Sequence, residues 1–158
     1  MIKLYLIIII IFSLILDLII PYYNSIIYLP SCSVIAMLFI AQHYNDKYNI
    51  MMAFIIGLLL DFVNSYALGS NAFALVLTTY LIIRFKNFFA RQVMWQQIII
   101  ISFVMFCYYS LLWILAIVIN NSLNFSFQFL YIILMALLSG IIWCIVNIIL
   151  MKLFKINN

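Results

Sequence analysis

Residues 93–119 read VMWQQIIIISFVMFCYYSLLWILAIVI, with no charged side chain anywhere in the run. A helix of about 20 mostly apolar residues crosses the ~30 Å hydrocarbon layer of a bilayer, so this segment is long enough to span one. Outward from it the chain repeats the pattern. Apolar segments lie at about 4–20, 33–42, 51–63 and 72–83 on one side and 129–150 on the other, with polar breaks between them. The shorter segments reach spanning length by taking in flanking residues. The prediction is six helices, at about 4–20, 28–44, 48–65, 68–89, 93–119 and 128–151. The expected architecture is an all-α, polytopic membrane helix bundle forming a single integral membrane domain over 1–158.

Composition supports this reading. Of 158 residues, 71% are hydrophobic and 6% charged, which leaves too little polar surface to enclose a soluble core. Six spans use about 120 positions and leave roughly 38, too few for a soluble domain. Seven Lys/Arg against three acidic residues give a net charge of +4. Those cations are scattered rather than gathered in a run, which argues against a nucleic-acid groove.

Cys32, Cys107 and Cys144 are odd in number and form no C-x-x-C pair, so they read as small hydrophobes rather than disulfides or metal ligands. His43 sits where an apolar segment gives way to Asn45-Asp46-Lys47 and reads as an interfacial residue. No catalytic, cofactor-binding or metal-binding set emerges, and no cofactor is expected.

The breaks have identifiable chemistry: Pro21 with Tyr22-Tyr23-Asn24-Ser25, Pro30-Ser31, Asn45-Asp46-Lys47, Asn64-Ser65 with Gly69, and Asn120 to Asn124. Pro21 predicts a turn after the first span. Lys3 ahead of an apolar run mimics a signal peptide, but no small-x-small cleavage site follows, so the segment is expected to be retained.

Charge placement orients the bundle, because Lys and Arg collect in cytoplasmic loops. With the N-terminus inside, Lys3, Lys47, Arg84, Lys86, Arg91, Lys152 and Lys155 all fall on the cytoplasmic side. Both termini are therefore expected in the cytoplasm. Under this topology Asn121→Cys reacts with an impermeant thiol reagent added outside and Asn158→Cys does not; reactivity at position 158 would sink it.

Two aspartates remain inside the spans, Asp17 on the first helix and Asp61 on the third. Each lies about 13 residues, or ~20 Å, from the cytoplasmic end of its helix. A charged group at such depth costs roughly 2.5–3.5 kcal/mol even on permissive insertion scales, and every cation is expected at the opposite face. Protonation or hydrogen bonding to Asn, Ser, Tyr or backbone is the expected solution. Ala53, Gly57, Asp61 and Ser65 recur at i+4, making a small, polar-tipped packing stripe. The shared depth of the two aspartates also permits an acid–base dyad. A small intramembrane aspartic signal peptidase, however, carries its acids in Asn- and Gly-rich motifs that this sequence lacks. Phosphate-loop, G-x-S-x-G and H-E-x-x-H motifs are missing too.

Gly57-Leu58-Leu59-Leu60-Asp61, then Leu68-Gly69, Tyr80-Leu81 and Trp95-Gln96-Gln97, together resemble the rod shape-determining protein MreD family. The motif-bearing resemblance covers roughly 49–104; Pro30 is compatible with it, and the last helix is similar only in hydropathy. Physically, Gly57 and Asp61 share a helix face, Gly69 permits a tight turn, and Trp95 with Gln96-Gln97 anchors a helix at the interface or meets a partner. Arg84, Lys86 and Arg91 beside them suit anionic headgroups or a cytoplasmic partner.

The resemblance implies a non-enzymatic subunit of the bacterial elongation complex in the inner (cytoplasmic) membrane. Such a subunit helps direct side-wall peptidoglycan synthesis by binding MreC, with RodA, a penicillin-binding transpeptidase and MreB in the larger assembly. The resemblance also implies a helical fold similar to the S components of energy-coupling-factor transporters. That likeness supplies the alternative, a small-ligand-binding subunit of a vitamin transporter with an outer cavity near Asp17, Asp61 and Asn120-Asn121-Ser122.

Overall fold

The computed structural model describes residues 2–23, 30–43, 48–64, 68–120 and 125–154. Within these it describes the side chains of 8–19, 30–43, 48–62, 68–89, 91–118 and 129–149. Every element among the described residues is helical: α1 (Ile2–Tyr23), α2 (Cys32–His43), α3 (Asn49–Asn64), α4 (Ser70–Arg84), α5 (Lys86–Ala90), α6 (Met94–Asn120) and α7 (Phe125–Phe154). Two stretches within them, Met94–Val118 and Phe129–Ile149, are long and apolar enough to cross a membrane.

The expectation of one helix over 68–89 is corrected. Phe85 leaves helical geometry at φ −97° and ψ 13°, closing α4 with its N–H on the Leu81 carbonyl at 3.0 Å. Its own carbonyl then accepts from Phe88 and Phe89 to start α5. The break turns Phe89 into the core while Phe85 and Phe88 stay exposed. It also lets the Lys86 Nζ reach the His43 carbonyl at 3.3 Å, where burial lowers the ammonium pKa.

The expected turn at Pro21 is corrected too. α1 carries Pro21 and ends at Tyr23. Proline has no N–H, so this last turn forgoes the usual amide bond to the Asp17 carbonyl. α2 is shorter than expected, beginning at Cys32 rather than near residue 28.

α2 is the hub. Every residue from Ser33 to Gln42 is buried, and α1, α3, α4 and α7 pack around it. Apart from the Ala53, Gly57 and Asp61 face of α3, the helices are apolar on all sides, so their periodicity does not reveal which face points inward. Small residues decide the closest approaches. A Cβ on Gly57 would collide with the Ala72 Cα and lie 2.7 Å from the Ala72 nitrogen, so α3 and α4 touch backbone to backbone. Gly140 on α7 plays the same part against Ser102 and the Ile98 carbonyl of α6. A contiguous apolar core runs from Ile10 through Phe39, Leu60, Leu75 and Met105 to Trp143.

Candidate functional site

α2 has 12 residues and α4 has 15. At 1.5 Å per residue they cover about 18 and 22 Å, short of the ~30 Å of a hydrocarbon layer. The first turn of a helix carries unpaired N–H groups and a partial positive charge. A short helix that begins inside the apolar layer has no water to satisfy them. Asp17 and Asp61 meet this need for α2 and α4.

Asp17 of α1 accepts the Cys32 N–H at 2.7 Å and the Ser33 N–H at 3.0 Å, both at the start of α2. The hydroxyls of Ser31, at 3.1 Å, and of Ser33 donate to the same carboxylate. Asp61 of α3 does the same for α4. It accepts from the N–H groups of Gly69 and Asn71, each at 2.8 Å. The Ser70 hydroxyl and the Asn71 amide also donate to it, each at 3.0 Å.

Each carboxylate thus neutralises a helix terminus contributed by the next helix along. The two acids have separate donor sets on separate helix termini, and no hydrogen bond joins them.

Local sequence explains the second cap. Gly69 adopts φ +96°, a left-handed conformation that costs glycine little. This turns its N–H onto Asp61 and aims the first turn of α4 at the carboxylate. Nothing crowds a Cβ at Gly69, so the requirement there is conformational. At Gly57, one turn before Asp61 on α3, the requirement is space. Leu68 is exposed and takes no part in the cap.

α6 reaches the second cap. The Tyr108 hydroxyl donates to the Asn71 Oδ1 at 2.7 Å, extending the Asp61 network across to α6. Its neighbour Tyr109, with a ring centroid 5.3 Å away, lies beside Ser31, Cys32 and Asp17.

Trp95, Gln96 and Gln97 separate by role. The Gln96 Oε1 accepts the Val93 N–H at 3.3 Å, reaching back to the residue that precedes α6. Gln97 is buried and donates through Nε2 to the carbonyls of Phe89 and Gln92 at 3.2 and 3.0 Å, fixing the α5–α6 corner. Trp95 projects outward, 78% exposed. Exposed Arg84, Phe85, Phe88 and Arg91 border the same corner. His43 stacks on Phe39 with ring centroids 4.3 Å apart and donates from Nδ1 to the Phe39 carbonyl at 3.1 Å.

Sequence reasoning singled out the two acids and missed the donors Ser31, Ser33, Ser70 and Asn71, as well as Tyr108. Gly69-Ser70-Asn71 carries a usable signal, being a glycine and two polar residues that open an apolar helix. Tyr108 has none, because nothing in its neighbourhood distinguishes it from Tyr109. Asn121 and Ser122, expected near the acids, lie outside the described residues, as does the side chain of Asn120.

A pattern describing the rod shape-determining protein MreD family matches residues 1–153. The chain belongs to the MreD family. It is therefore a membrane protein of the rod-shape determination system. The match reaches well beyond 49–104 and takes in the last helix, where only hydropathy had pointed to the family. No curated protein and no solved structure matches the chain. In an MreD-family chain the Gly57, Asp61 and Gly69 positions thus build one helix junction, in which two backbones touch and a buried helix start is neutralised.

Proposed function

We propose that this chain is a non-enzymatic MreD subunit that crosses the bacterial inner membrane six times with both termini in the cytoplasm. It serves there as an intramembrane dock for the MreC helix. Through MreC it takes its place with RodA, a penicillin-binding transpeptidase and MreB, helping direct side-wall peptidoglycan synthesis. The family match over 1–153 carries this reading.

The geometry supports binding over chemistry. Each intramembrane carboxylate is occupied by four hydrogen-bond donors from a helix terminus, leaving neither free to activate water. The same occupancy removes Asp17 and Asp61 from the ligand cavity that a vitamin-transport subunit would need.

A mild-detergent pull-down of the tagged protein at native expression, read by mass spectrometry, tests the proposal. Recovery of MreC with cell-wall synthases is expected. Recovery of transporter ATPases with their membrane coupling subunit would overturn it. Trp95→Ala in the same experiment is expected to leave both protein level and MreC recovery unchanged. Trp95 shares its interfacial corner with Phe85, Phe88 and the cations Arg84 and Arg91, which continue to anchor it at the membrane surface. Loss of MreC with a normal protein level would instead make Trp95 part of the dock.

A further inference from the structure

Five buried polar atoms at the end of the bundle opposite the aspartate caps have no hydrogen-bond partner. They are the Gln42 Oε1, the Gln97 Oε1, the Trp143 Nε1 and both amide atoms of Asn147. Gln42 and Gln97 are 7% and 6% exposed, and Trp143 and Asn147 are fully buried.

Packing and register place these side chains at the same end of the bundle. Trp143 and Asn147 lie one turn apart on the same face of α7, and α7 packs on α2, which carries Gln42. Phe106 meets Phe129, while Ile98 and Ser102 flank Gly140, so α6 and α7 run antiparallel. That register sets Gln97 level with Trp143. α5 borders two of the four: Lys86 holds the carbonyl of His43, next to Gln42, and the Phe89 carbonyl holds Gln97. Phe39, Phe89 and Trp143 belong to one contiguous core.

A buried amide or indole N–H that forfeits its bonds to water without replacement is costly, and native interiors avoid it. Here the free groups are three acceptor oxygens and two donor nitrogens, and none of the four side chains is charged. Their complement is a neutral molecule that both donates and accepts.

We propose that Gln42, Gln97, Trp143 and Asn147 line a polar pocket beneath α5 that holds water drawn from the cytoplasmic side. The pocket gives buried Gln97 a second task beside its hold on the α5–α6 corner. Its cytoplasmic placement rests on the orientation proposed above.

Cysteine accessibility in inside-out vesicles tests the pocket. Cys32, Cys107 and Cys144 are first replaced by alanine, and Asn147→Cys, Ile148→Cys and Arg91→Cys are compared with a small, water-soluble methanethiosulfonate. Thiols react as thiolates, which form in water and not in hydrocarbon. Asn147→Cys is therefore expected to react about tenfold or more faster than outward-facing Ile148→Cys. An Asn147→Cys as inert as Ile148→Cys beside a reactive Arg91→Cys would overturn the pocket. An Arg91→Cys that reacts only in right-side-out vesicles would instead overturn the orientation.

Thermal unfolding in detergent supplies a second readout. Asn147→Leu evicts water while leaving Gln42, Gln97 and Trp143 unpaired, so the Tm is expected to fall by about 3 °C or more. In a dry core leucine would remove two orphaned atoms, and a raised Tm would refute the proposal.

Discussion

Gly57→Leu is expected to abolish accumulation of the folded protein and, with it, normal rod shape. Even the Cβ of an alanine would collide with the Ala72 Cα and stand 2.7 Å from the Ala72 nitrogen and 3.0 Å from the Asn71 carbonyl carbon. These are backbone atoms at the start of α4, and no rotamer change moves them aside. Overpacking a well-filled core costs typically about 1–3 kcal/mol when side chains can shift. Here α4 itself has to move, which also pulls the Gly69 and Asn71 amides away from Asp61. A stable bundle has only about 5–15 kcal/mol in hand. Quantitative blotting of membranes, with cell shape scored in a strain that depends on this copy, checks the result. Normal shape at normal protein level would show that the α3–α4 contact is dispensable. Gly57→Ala should fall between wild type and leucine, because a single methyl group asks for a smaller displacement.

Asp61→Ala is expected to be nearly as severe. It leaves the Gly69 and Asn71 N–H groups, the Ser70 hydroxyl and the Asn71 amide without their acceptor inside the bundle. Each unpaired buried donor costs about 1–3 kcal/mol. Asp61→Asn is the more informative variant. The change removes the acid and keeps hydrogen-bonding capacity. In the structure all four partners are donors. The asparagine oxygen can keep the three contacts now made by Oδ1, whereas its NH2 then faces the Gly69 N–H, donor against donor. Its expected effect is intermediate, a clear loss of thermal stability in detergent without loss of the fold. Equal severity for asparagine and alanine would mean that the negative charge at the helix start, rather than the hydrogen-bond count, is decisive. The parallel pair at Asp17 should behave alike, since its carboxylate likewise receives only donors.

Much of this architecture was legible before any coordinates. Long apolar runs and the Gly57-to-Asp61 spacing are properties of single residues and short windows. The partition of side chains between hydrocarbon and water acts on them one residue at a time. The family likeness rested on the same local strings.

Contacts between distant parts of the chain were not legible. Ser31 and Ser33 donate to an aspartate 14 and 16 residues earlier, and Tyr108 reaches Asn71 across 37. Which polar atoms meet depends on how each helix is rotated about its axis. The Ala53, Gly57 and Asp61 stripe reports this rotation for α3, whereas helices rich in isoleucine, leucine and phenylalanine on every side carry no such signal. The break at Phe85 was hidden for a related reason. Residues 68–89 contain no proline, and the interruption comes from burying Phe89 while Lys86 reaches the His43 carbonyl. The chain's apolarity and its family motif are thus written in local composition. The aspartate caps, the central position of α2 and the α4–α5 corner arise only when helices far apart in sequence are packed together, because there one helix supplies the acceptor, or the space, that another lacks.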